Sequence, residues 1–180
     1  MALLALLPAL ASAQGPRRRS GGRGYLFLAG APSLGSALGT PGGGSLQFGG
    51  GAEWLIGGVG FGGELFRSMQ SGQGGASSKT WVGSADVSYH FRASGEGRRV
   101  EPFLSGGYSS FWAPGTGIPH ANGGNLGGGL NVWLGRHAGL RLEVQDDIGS
   151  RVVCNAVENT CQRPPSAQHL VGFRVGVTFR

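Results

Sequence analysis

Residues 168–180 read QHLVGFRVGVTFR, and their side chains alternate without interruption. Val171, Phe173, Val175, Val177 and Phe179 share one parity, while Gly172, Arg174, Gly176 and Thr178 share the other. Period-two alternation marks a strand with one apolar and one polar face. Seven more segments carry a similar pattern, at 25–30, 45–56, 59–69, 80–92, 99–112, 124–134 and 139–148. The connections between them fall into two classes. Those near Gly57, Glu96 and Arg136 are short, and Gly57-Gly58 reads as a tight hairpin turn. Those near Gly39, Gly74, Gly117 and Cys154 are longer. An even number of strands, joined alternately by short turns and longer loops, predicts an all-β fold: an eight-stranded antiparallel up-and-down transmembrane β-barrel. Each segment has roughly the 9–11 residues a tilted strand needs to cross a bilayer, and closure removes the edges that lipid cannot satisfy.

Composition agrees with a crowded barrel rather than a linker. The chain has 38 glycines among 180 residues, yet they alternate with Val, Leu, Phe and Trp instead of clustering with Ser and Gln. Small residues inside alternating strands suit places where backbones approach closely. Residues 1–13 (MALLALLPALASA) form an apolar run ending in an A-x-A-like site and read as a secretory signal peptide. Residues 14–24 are Arg- and Gly-rich and read as a flexible periplasmic leader, leaving 25–180 for the barrel. No other apolar run approaches the ~20 residues of a membrane helix. The formal charge is +6, but Arg17, Arg18, Arg19 and Arg23 lie in the leader and Arg98, Arg99 and Arg136 in or beside turns. That scatter excludes a nucleic-acid stripe.

Two faces then need assigning. With apolar parity outward, Glu53, Glu64, Asp86, Arg92, Glu101, Arg141, Glu143, Asp147 and Arg174 point into the lumen. An interior this narrow is just wide enough to be filled by side chains, and buried charges must pair; the expectation is a salt-bridged, closed lumen. A narrow or gated small-solute channel is the alternative. Tyr25, Trp54, Trp81, Tyr89, Phe91, Tyr108, Trp112 and Phe179 sit near expected strand ends, where such barrels carry aromatic girdles. A soluble lipocalin-like ligand-binding barrel would reverse every in/out assignment. In residues 99–112 both parities are apolar, so their faces stay open, and Trp133 on the polar parity is unaccounted for.

The eight segments, the signal, the ending VGFRVGVTFR and glycine-spaced hairpins such as GGVGFGGELF and GGGLNVWLGRHAGLRLEV resemble the small outer-membrane β-barrel domain family. That family includes the OmpA-type transmembrane domain and the opacity-protein-like barrels. The resemblance covers 25–180. It implies the outer membrane of a Gram-negative-type bacterium, insertion by the barrel assembly machinery, and contact with outer-membrane lipids and lipopolysaccharide by a monomer. It also implies a C-terminal assembly signal at Phe173, Val175, Val177 and Phe179. The even strand count puts both termini on the periplasmic side. Family members end on an aromatic, whereas Arg180 follows Phe179 here.

No chemistry-bearing motif stands out. Asp86, Ser88 and His90 share one face, but same-face neighbours along a strand are ~7 Å apart, too far for a nucleophile–base hydrogen bond. The expectation is a structural interior histidine and no enzyme; a lipid A-modifying enzyme on the same scaffold would need a lipid-side Ser–His–acid cluster. The string Gly58-Val59-Gly60-Phe61-Gly62-Gly63 matches a dinucleotide fingerprint but opens a strand instead of a helix. His120, His137 and His169 make no metal spacing, so no metal or cofactor is expected. Cys154 and Cys161 share a loop in an exported chain, where a disulfide is permitted and favoured over a metal pair. Such a bridge is worth about 2–3 kcal/mol.

Overall fold

The computed structural model describes residues 20–31, 45–71, 77–91, 99–112, 121–150, 153–155, 160–162 and 168–180. Eight strands close a barrel: β1 (Gly21–Ala31), β2 (Ser45–Ile56), β3 (Val59–Ser71), β4 (Ser77–His90), β5 (Val100–Trp112), β6 (Ala121–Trp133), β7 (Ala138–Ser150) and β10 (Gln168–Phe179). Every neighbouring pair is antiparallel, and β10 closes onto β1 with Gly24 opposite Phe179. Between β7 and β10, β8 (Val153–Asn155) and β9 (Thr160–Gln162) form a separate two-stranded hairpin. The fold class is therefore the one the alternation predicts. Gly57 and Gly58 take φ of 64° and 95° between Ile56 and Val59. Two successive positive φ values define the turn that follows the strands' own twist, and glycine adopts them without steric cost.

Strand ends shift by tertiary pairing. The first strand starts at Gly21, not 25, because Arg23 pairs with Glu53 in the β1–β2 register and bonds Glu101 across the lumen. Residues 21–24 of the expected leader are thus barrel. Strands also extend into the expected loops at 70–71, 77–79, 121–123 and 149–150.

The barrel is polar inside and apolar outside. Leu28 and Leu126 on the outer face are 62% and 65% exposed, whereas inward Arg174 and Asp147 are each 2% exposed. The open question in β5 is settled: Val100, Leu104 and Tyr108 face outward, Phe103 and Ser109 inward. The inner face is tight, so glycines sit across from bulky neighbours. Gly49 lies opposite Phe27 and Phe66, Gly51 opposite Tyr25 and Glu64, and Gly129 opposite Phe103 and Glu143.

Candidate functional site

The lumen holds the chain's densest chemistry, stacked from the end with short turns to the end with longer connections. At the turn end, two guanidiniums lie over the Trp133 ring, Arg180 at 4.0 Å and Arg23 at 5.2 Å from its centroid. Arg180 is fixed from behind, its Nε donating to the Arg136 carbonyl at 2.8 Å. The inward Trp133 and the extra terminal arginine, both puzzling as sequence, form one closing stack.

Below it, Arg23 pairs with Glu101, its Nη2 donating to Oε2 at 3.1 Å. His90 bridges two carboxylates: Nδ1 is 2.7 Å from Glu101 Oε1 and Nε2 is 3.0 Å from Glu53 Oε2. The imidazole stacks on Phe103 with centroids 5.5 Å apart. Ser88 Oγ donates to Glu53 Oε2 at 2.8 Å and lies 3.1 Å from His90 Nε2. This corrects the expectation from strand spacing. The ~7 Å between same-face positions is spanned by the long imidazole side chain, so serine and histidine do meet. The acid beside them is Glu53 or Glu101, from neighbouring strands, and not Asp86. The meeting still makes no nucleophile: both ring nitrogens face carboxylate oxygens, which only accept, so neither has a free lone pair to take the Ser88 proton.

The middle of the lumen is a second network. Arg141 forks onto Glu143, Nε to Oε2 at 3.1 Å and Nη2 to Oε1 at 3.2 Å. Its guanidinium lies between Tyr25 and Phe103, 4.1 and 4.0 Å from their ring centroids. Arg174 Nη1 donates to Glu64 Oε1 at 2.7 Å and Gln145 Oε1 at 2.6 Å, and Nη2 lies 3.5 Å from Asp147 Oδ2. Tyr25 donates to Glu64 Oε2 at 3.1 Å. A chain of neutral groups completes the layer: Ser109 donates to Asp147, Asn125 to both Ser109 and Asp86, and Ser84 to Asp86. Between the two networks lies a cavity of about 20 Å³ lined by Tyr25, Glu53, Glu64, Asp86, Ser88 and Arg141, room for about one water.

Nearer the loop end an apolar layer follows, with buried Gln47 and Ser68 beyond it. Tyr25, Phe27, Ala29, Phe66 and Val82 form the buried cluster, with Phe111 packed against it. Phe27 and Phe66 meet edge-on at 5.9 Å, and Arg174 lies over both rings at 4.4 and 4.8 Å.

Eight of the nine charged residues expected in the lumen are in described strands, and all eight face inward; Arg92 lies outside the described residues. Arg23 and the polar helpers Ser84, Ser109, Asn125 and Gln145 were missed, although all but Arg23 lie on the inward parity of expected strands. Among the expected girdle residues, Trp54, Phe91, Tyr108 and Phe179 are outward and 43–54% exposed. Trp81, Tyr89 and Trp112 share that outward parity, and Tyr108 lies four residues inside the loop end of β5. Tyr25 is the exception. It is 8% exposed and faces the lumen, because both parities of β1 are apolar and only its partner Glu64 selects the face. Phe173, Val175, Val177 and Phe179 form an exposed outer row on β10. Cys154 and Cys161 are opposed in the β8–β9 register; their side chains lie outside the described set.

Solved structures share this architecture. Neisserial surface protein A aligns at TM-score 0.64 and 16% identity, over 90% of this chain and 99% of that one. The chain is similar in fold to the small outer-membrane β-barrels. The N-terminal β-barrel domain of Pseudomonas aeruginosa OprF aligns at TM-score 0.48 and 15% identity, over 88% of this chain and 97% of that one. A de novo designed transmembrane β-barrel aligns at TM-score 0.49 and 10% identity, over 91% and 98%. No family model matches the sequence, and no curated protein sequence matches it.

Proposed function

We propose that the chain is an integral outer-membrane β-barrel protein, non-enzymatic, with a structural or surface-interaction role and a closed, salt-bridged lumen. One observation carries this reading: polar groups and charges are buried inside a closed barrel while leucine, valine and aromatic side chains stand exposed outside on all eight strands. In water such a surface is an aggregation liability; in a bilayer it is the ordinary solvent-facing surface. A soluble ligand-binding barrel would have the reverse arrangement. The described chain ends, Ser20 and Arg180, lie at the turn end, which we assign to the periplasm, and the longer connections form the outer contact surface. The outer row on β10 serves as the signal read by the assembly machinery.

The lumen supports closure over conduction, since a Trp–Arg stack, two ion networks and an apolar layer fill it in turn. The test is heat-modifiability on SDS gels of an outer-membrane fraction. A folded band that migrates differently before and after boiling is expected. Recovery of the chain in the soluble periplasm, with no shift, would reverse the in/out assignment and end this reading.

A further inference from the structure

On the outer face of the described strands, charged side chains stand at only four positions, all in the half of the barrel nearer the longer connections. Arg67 and Lys79 lie on β3 and β4; Asp146 and His169 lie on β7 and β10. The acid is already taken, since His169 Nδ1 is 2.7 Å from Asp146 Oδ2. The barrel order sets the β7–β10 seam directly across from the β3–β4 seam, so this acid cannot reach the two cations. Around them, the outward neighbours are Phe48, Met69, Trp81 and Trp112.

Arg67 is paired in register with Trp81, and its guanidinium sits 5.5 Å from the indole centroid. Lys79 pairs with Met69 one step nearer the loop end and is exposed. Arg67 Nε is buried and makes no hydrogen bond among the described residues. Two cations without an acidic partner among the described residues, at an aromatic girdle and one of them propped on an indole, suit a phosphate at headgroup depth: arginine as the fork and lysine as the point charge. We infer that the Arg67–Lys79–Trp81 patch binds a phosphate of the phosphorylated glycolipid in the loop-side leaflet, while Leu65, two residues further from the loop end, meets the acyl chains. This rests on the membrane-barrel reading above.

The test uses the full chain, solubilised in detergent and shown to be folded by its heat-modifiable band. Native mass spectrometry then follows retention of lipid A and of dephosphorylated lipid A. Wild type is expected to retain the phosphorylated form preferentially. Arg67→Gln with Lys79→Gln should hold it on the order of thirtyfold more weakly, at about 1 kcal/mol per interfacial cation. Lys79→Gln alone, at an exposed position, guards against a folding defect, and Arg99→Gln with Arg136→Gln at the turn end should leave retention unchanged. Unchanged binding by the double variant, or equal retention of the dephosphorylated lipid, would overturn the site. Equal competition by phosphatidylglycerol, or displacement by millimolar inorganic phosphate, would overturn the choice of glycolipid. Absence of a heat-modifiable band in wild type would instead remove the barrel reading beneath it.

Discussion

At the scale of residues, the lumen is a place where one partner cannot be removed alone. Arg174 serves Glu64, Gln145 and Asp147 and also covers Phe27 and Phe66. Arg174→Ala should lower stability by about 3–5 kcal/mol, because it leaves two carboxylates buried without a cation. Arg174→Met combined with Glu64→Gln should cost less than Arg174→Ala, since it removes charge with its partner. Urea titration of the folded band in detergent reads both; equal losses would show that packing, and not charge, sets the cost. His90 invites the opposite error. Its contact with Ser88 resembles a catalytic pair, but Ser88 already donates to Glu53. A fluorophosphonate probe should therefore leave Ser88 unlabelled, and labelling lost in Ser88→Ala would reopen the enzyme reading. The inward charges were legible from parity alone. Tyr25 and Arg23 were not, because the β1 stretch YLFLAG is apolar on both parities and Arg23 finds its partner 78 residues away.

At the scale of elements, the same residue type carries opposite demands on the two faces of one strand pair. Gly49 faces inward, and a Cβ there would lie 2.5 Å from the Leu65 carbonyl oxygen and 2.6 Å from Phe66 Cα. Gly24 faces outward, where the nearest atom would be 3.8 Å away. Gly49→Ala should destabilise the barrel by about 1–3 kcal/mol, whereas Gly24→Ala should be neutral or slightly stabilising. If urea midpoints moved equally for both, the crowding account of the inner glycines would fail. Strand number and hairpin order were readable because alternation and turn chemistry are local signals, and β2 falls at 45–56 as the sequence predicts. The β8–β9 hairpin was not readable, since its strands have three residues each, too few for a period to register. Its register opposes Cys154 and Cys161, so unreduced protein should resist thiol alkylation and take up label only after reductant.

At the scale of the whole molecule, the proposed closure would be distributed along the lumen. The turn end carries Trp133 with Arg23 and Arg180 over its ring, the half nearer the longer connections carries Phe27, Phe66, Val82 and Phe111, and the Arg141 and Arg174 networks lie between them. The cavity between the two ion networks holds about one water, and each layer is filled separately, so no single truncation is expected to join the two mouths. Planar-bilayer recordings should show wild type, Trp133→Ala and Phe66→Ala all indistinguishable from protein-free lipid. Current steps in wild type would refute a closed lumen outright. Steps appearing only in Trp133→Ala would place the whole barrier in the Trp–Arg stack and reduce the inner networks to fillers. Silence in wild type and both variants leaves an interior that stabilises the barrel and an exterior that meets other molecules. On such a molecule, selectivity belongs to the longer connections and the lipid-facing wall.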